Sequence, residues 1–147
     1  MEITEVLNDL IKINNDRIAG FTNASKNLEN NDIDLKAIFD SLIFDSHSNV
    51  SELASAVGKS GGEAETGTSG SGAIHRAWID VKATFTGHDR HSVLAECERG
   101  EDAIKKAYKD ALEENNLPSD VRTLLLKQQD NVVSGHNKIK ALRDVTA

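Results

Sequence analysis

The chain has 147 residues, the size of one domain that buries roughly 68–70% of its unfolded surface. With 38% hydrophobic but only 4% aromatic residues, its core has to be aliphatic, with Phe21, Phe39, Phe44, Trp78, Phe85 and Tyr108 as the few large pieces. A formal charge of −7 argues against a phosphate-binding surface, which needs clustered Lys and Arg, and no apolar run approaches the ~20 residues that cross a bilayer; neither nucleic acid nor a membrane is an expected partner.

The opening MEITEVLNDLIKINND mixes acidic residues with helical periodicity and has neither the basic start nor the apolar stretch of a secretion signal, so cytoplasmic residence is the expectation. Ile3, Leu7, Leu10, Asn14, Arg17, Phe21, Ala24 and Leu28 recur at steps of three and four, which predicts a first helix over about 2–29 with these residues on its inner face. After Asn30 and Asn31, Asp32 or Asp34 can accept hydrogen bonds from the free amides of a second helix. Its inner stripe is Leu35, Phe39, Leu42, Ser46, Asn49, Leu53 and Val57, and it ends near Gly58.

Residues 59–72, KSGGEAETGTSGSG, carry no large apolar side chain and read as an exposed, mobile linker. A short amphipathic helix is predicted over about 73–86, with Ile74, Trp78, Val81 and Phe85 inward, before Gly87 breaks it. A third long helix, about 89–115, turns Leu94, Cys97, Glu101, Ile104, Tyr108 and Ala111 inward. Pro118 sits where a fourth begins, a position that tolerates its missing amide hydrogen. That helix, about 118–145, turns Val121, Leu125, Gln128, Val132, Gly135, Ile139 and Leu142 inward.

Tight turns join the first helix to the second and the third to the fourth, so each pair should form an antiparallel hairpin. The connection between the hairpins is long: a helix of the predicted length reaches about 21 Å at ~1.5 Å per residue and, with the linker, can return along one side of a bundle. The expectation is a single all-α domain over 1–147, a four-helix bundle whose long crossover carries a short helix between helices two and three.

Several segments are familiar: LNDLIKINNDRIAGF at the start, GGEAE in the linker, GAIHRAWIDVKATFTG across the short helix and ECERGEDAIKKAYKDAL in the third long helix. Together they resemble an uncharacterised family of bacterial four-helix-bundle proteins, a domain of unknown function in the ferritin-like superfamily. The resemblance covers nearly the whole chain and implies a ferritin-like bundle, with a pair of iron or manganese ions at its centre as one expectation. Such a centre takes one Glu from each of two helices and a Glu-x-x-His from each of the others.

The inner stripes turn polar near the midpoint of every long helix: Asn14 and Arg17, Ser46 and Asn49, Glu101, and Gln128. Counting outward from the tight turns places these residues in one zone. Two divalent cations there would need several carboxylates, yet no Glu-x-x-His occurs in the chain, and the first helix offers Asn14 and Arg17 where a Glu is required. The leading expectation is therefore a buried network in which Arg17 pairs with Glu101 while Asn14, Ser46, Asn49 and Gln128 satisfy one another. Such a network sets helix register without having to add stability. The alternative is a metal site of Glu98, Glu101, His47 and His136 holding iron or manganese.

Cys97, the only cysteine, reads as a small core residue. His75, His88 and His91 have no carboxylate partner fixed by spacing. Gly100 and Gly135 cost ~1 kcal/mol each inside helices, which points to close helix approach or room for a bulky neighbour. No catalytic residue and no resident cofactor is expected. The function expected is a non-catalytic helical module that associates with itself, as a dimer, or with a protein partner; Leu124, Leu126 and Val133, apolar but off the inner stripe, are candidates for that contact. The competing expectation is a ferritin-like metal-binding redox protein.

Overall fold

The structure, a computed structural model, describes residues 2–26, 33–67 and 90–145. Among these residues the chain forms four α-helices and no strand: α1 (Ile3–Lys26), α2 (Ile33–Lys59), α3 (Arg90–Leu112) and α4 (Ser119–Val145). The short helix expected over 73–86, with Trp78 and Phe85, lies outside the described residues, as do His75 and His88. Each of α1, α2 and α4 has an acidic residue in its first turn (Glu5, Asp34, Asp120) and a basic one in its last (Lys26, Lys59, Arg143), the arrangement that complements the helix dipole.

Two helix ends are closed in ways that periodicity does not reveal. α2 runs past Gly58 and stops at Gly61, whose φ of 81° is the left-handed conformation glycine adopts without strain. The Gly61 amide donates to the Gly58 carbonyl and the Gly62 amide to that of Val57, each at 3.1 Å, a Schellman motif. At the end of α3, Arg122 reaches back from α4 and donates to the carbonyls of Leu112 (2.9 Å) and Glu114 (3.0 Å).

Hydrogen bonds and close approaches set the packing order and direction. α1 packs on α2 and α3, α4 packs on α2 and α3, and the backbones of the diagonal pairs do not approach each other closely. Arg17 meets Ser46 and Glu101, whereas Asn14, one turn earlier, meets Asn49 and Tyr108 further along their helices. Glu52 meets Lys127, while Leu42 lies against Gly135. Every neighbouring pair is thus antiparallel, and the order is up, down, down, up. α2 therefore ends at the opposite end of the bundle from the start of α3, and their connection has to travel the bundle's length.

The first part of that connection is exposed, as the linker reading expected, and hydrogen bonds tie it to α1. Asn8 donates to the Glu63 carbonyl and accepts from the Glu65 amide, both at 3.0 Å, and Asn15 donates to the Gly67 carbonyl at 2.9 Å. Residues 62–67 thereby climb along α1. Gly62 has no room for a side chain, since a Cβ there would lie 2.6 Å from Thr4 Cγ2.

The core divides in two. One cluster holds Val6, Leu7, Leu10, Ile11, Ile13, Leu53, Val57, Ile104, Tyr108, Ala111, Val121, Leu125 and Val132. The other holds Phe21, Ala24, Leu35, Phe39, Leu42, Val93, Leu94, Cys97 and Ile139. Phe21 and Phe39 stack tilted with centroids 5.0 Å apart. Phe44, expected as a core piece, is instead 71% exposed: it is two residues from both Leu42 and Ser46, which a helix places on its opposite side.

Candidate functional site

At mid-height in the bundle lie two stacked layers that carry buried polar side chains, to each of which every helix contributes one residue; the second is set within the first apolar cluster, of which Tyr108 is a member. The first comprises Arg17, Ser46, Glu101 and Gly135; the second, Asn14, Asn49, Tyr108 and Gln128. In the first layer Arg17 and Glu101 are both fully buried. Arg17 Nε donates to Glu101 Oε1 and Nη2 to Oε2, each at 2.7 Å, a bidentate fork that occupies both carboxylate oxygens. Nη1 donates to Ser46 Oγ at 3.3 Å, and the guanidinium carbon lies 5.9 Å from the centre of the Phe21 ring.

Gly135 explains how so large a side chain fits. A Cβ there would fall 2.6 Å from Arg17 Nη2, 2.8 Å from Leu42 Cδ2 and 3.2 Å from Glu101 Oε2. The glycine makes room for the guanidinium, which is the bulky neighbour that a glycine inside the helix suggested.

In the second layer, Asn14 Nδ2 donates to the Leu10 carbonyl (2.8 Å) and to Tyr108 Oη (2.9 Å), and its Oδ1 accepts from Asn49 Nδ2 (3.1 Å). Tyr108 donates to Gln128 Oε1 at 2.7 Å, and Gln128 Nε2 donates to the Asn49 carbonyl at 3.3 Å and towards Glu52 Oε1 at 3.4 Å. Glu52 accepts from Lys127 at 2.7 Å, so the chain of hydrogen bonds runs from the core to the surface. Burial pushes the Tyr108 phenol well above its ordinary range, more than its bond from Asn14 lowers it, and the hydroxyl stays protonated as the donor Gln128 requires. Burial and the nearby Glu101 likewise raise the Cys97 thiol, which remains a neutral core group.

All six residues expected in the network, Asn14, Arg17, Ser46, Asn49, Glu101 and Gln128, are buried and joined in these layers. Tyr108 is the member the sequence reading missed as a polar group, although its inward position and its hydroxyl were both visible. Asp16 is a further buried acid on α1, off the predicted stripe.

The alternative ligand set, Glu98, Glu101, His47 and His136, does not assemble. His47 is exposed, being next to the buried Ser46 and turned about 100° from it by the helix. Glu101 is saturated by Arg17. Glu98 and His136 do meet, with Oε1 3.7 Å from Nε2, and they are joined by Asp102, one turn on from Glu98, whose Oδ1 is 2.5 Å from the same nitrogen. Arg143 holds the other oxygen of Glu98. This group lies beside the central layers, between α3 and α4.

A family model described as a domain of unknown function, DUF2383, matches residues 2–114. The chain belongs to the DUF2383 family. A comparison with curated proteins finds no match. In this DUF2383 protein the matched span carries α1, α2 and α3, and with them Arg17, Glu101, Tyr108, Glu98 and Asp102; Gln128, Gly135 and His136 of α4 lie beyond it.

Proposed function

We propose that this DUF2383 protein is a non-catalytic helical module that acts in the cytoplasm by associating with itself or with a protein partner, and that its source is bacterial, as its resemblance implies. Its bundle is read as ferritin-like, with the metal centre of that superfamily replaced by a polar network. The observation that carries this reading is the bidentate Arg17–Glu101 pair. A guanidinium on both oxygens of the one central glutamate puts a fixed positive charge where a metal would have to sit, and a dinuclear centre needs anionic donors from all four helices.

The order of the helices, two antiparallel hairpins linked by a connection that travels the bundle's length, supports the ferritin-like reading. A contact surface is supported by exposed apolar side chains: Phe44 at 71%, Ile33 at 73% and Leu126 at 48%. Of the residues first considered, Leu124 packs against the core and Val133 is half-buried, so Leu126 carries that face.

Ferrous-iron oxidation and sedimentation velocity test the reading together. Added ferrous iron should oxidise no faster with the protein than in buffer, and the protein should sediment as a dimer that Phe44→Glu or Leu126→Glu dissociates. Accelerated oxidation, or a stoichiometric ion bound by the wild type and lost in Glu101→Gln, would overturn it.

A further inference from the structure

Glu98, Asp102 and His136 each bring one ligand atom to within 4.8 Å of the other two, the group of this kind among the described residues. Glu98 and Asp102 are one helical turn apart and project from the same side of α3, and His136 faces them from α4. The imidazole is almost wholly buried, with its side chain 7% exposed, and Glu98 is at 10%, whereas Asp102, at 59%, opens the group to solvent.

The chemistry of His136 decides what the group lacks. Its Nδ1 lies 3.3 Å from Asn137 Oδ1, an acceptor to which an Nδ1 proton can be donated. Nε2 is turned into the space between Glu98 Oε1 and Asp102 Oδ1. Nε2 is buried and makes no hydrogen bond, although Asp102 Oδ1 lies 2.5 Å away. Nε2, Glu98 Oε1 and Asp102 Oδ1 thus converge on one focus, which calls for positive charge there, either a proton on Nε2 or a metal ion. Arg143 does not serve, since it is engaged with the far oxygen of Glu98 and Asp144. It instead turns Oε1 towards the imidazole, the orienting role that outer partners play for metal ligands.

We propose that Glu98, Asp102 and His136 form a mononuclear site for a divalent first-row transition ion, bridging α3 and α4 beside the central layers. One imidazole nitrogen with two carboxylate oxygens suits manganese, iron or zinc better than calcium or magnesium, which prefer oxygen alone. Ligands about 2.0–2.1 Å from a tetrahedral ion sit about 3.3 Å apart, so Asp102 has to swing outward from its present 2.5 Å, which its exposure permits. The remaining coordination positions open to water on the Asp102 side. This site is independent of the association reading and of the Arg17–Glu101 layer.

Titration of the chelator-treated full chain with zinc(II) and with manganese(II), followed by calorimetry and by elemental analysis after desalting, tests the site. The expected result is one ion per chain, with affinity falling by about tenfold or more in both Asp102→Asn and His136→Gln, at least the loss seen for outer-shell partners. His47→Gln should bind as the wild type does, which separates this site from surface histidine. Asp102 is exposed, so Asp102→Asn keeps the test valid if His136→Gln fails to fold. No binding of either ion, or binding equally tight in Asp102→Asn, would overturn the proposal.

Discussion

Arg17 and Glu101 are valuable to each other more than to the fold. Two charges at full burial lose their hydration, and attraction between them returns about as much as that loss, so the pair adds little net stability. Removing one partner is different, because the other is left charged and unpaired. Arg17→Ala and Glu101→Ala are each expected to lower the urea unfolding free energy by about 3–5 kcal/mol. The double variant Arg17→Met/Glu101→Leu should cost far less than the sum, giving a coupling energy of about 2 kcal/mol or more. Tyr108 and Cys97 supply a pH signature at the same scale. Both are acids whose folded-state values are raised by burial, so the unfolded chain releases their protons first. Their stabilisation is complete below the unfolded values, about 8.5 for Cys and 10 for Tyr, and is lost as pH rises beyond them. The denaturation midpoint should fall through that alkaline range, less steeply in Tyr108→Phe than in the wild type.

Within the helices, small residues and turn chemistry decide how closely neighbours approach. Gly135→Ala tests this in α4. In an exposed helix the change would gain ~1 kcal/mol. Here the added carbon meets Arg17 Nη2 at 2.6 Å, and that group cannot step aside without breaking its bond to Glu101, while Leu42 Cδ2 blocks a second direction at 2.8 Å. The substitution is expected to lower stability by about 1–3 kcal/mol, measured by chemical denaturation, as overpacking of a filled core does. α1 shows a second use of an element's outer side, for Asn8 and Asn15 lie off the core face and hold residues 63–67 along the helix.

For the whole molecule, the layer of Arg17 and Glu101 lies between two apolar clusters that have no member in common. Ile104 belongs to one and Ile139 to the other. Ile104→Val and Ile139→Val should each cost about 0.5–1.5 kcal/mol, and the double variant should match their sum within about 0.5 kcal/mol by urea denaturation. A larger departure would mean that the clusters communicate through that layer. The two polar layers fix the bundle's register: sliding one helix by a turn would carry Arg17 away from Glu101, or Asn14 away from Tyr108, and leave buried groups without partners.

The inner stripe of α2 could be read from the chain alone, residue for residue from Leu35 to Val57, and so could most of α4 up to Ile139. Helical periodicity is local, and a residue's place on its own helix depends only on its neighbours in sequence. The six residues of the polar zone were legible for the same reason. What no periodicity contains is the rotation and register of one helix against another. Those decide that Gly135 cradles Arg17, that Tyr108 completes the second layer and that Glu98 and Asp102 meet His136. Each is a meeting of residues far apart in the chain, brought about when the apolar stripes of four helices are buried together.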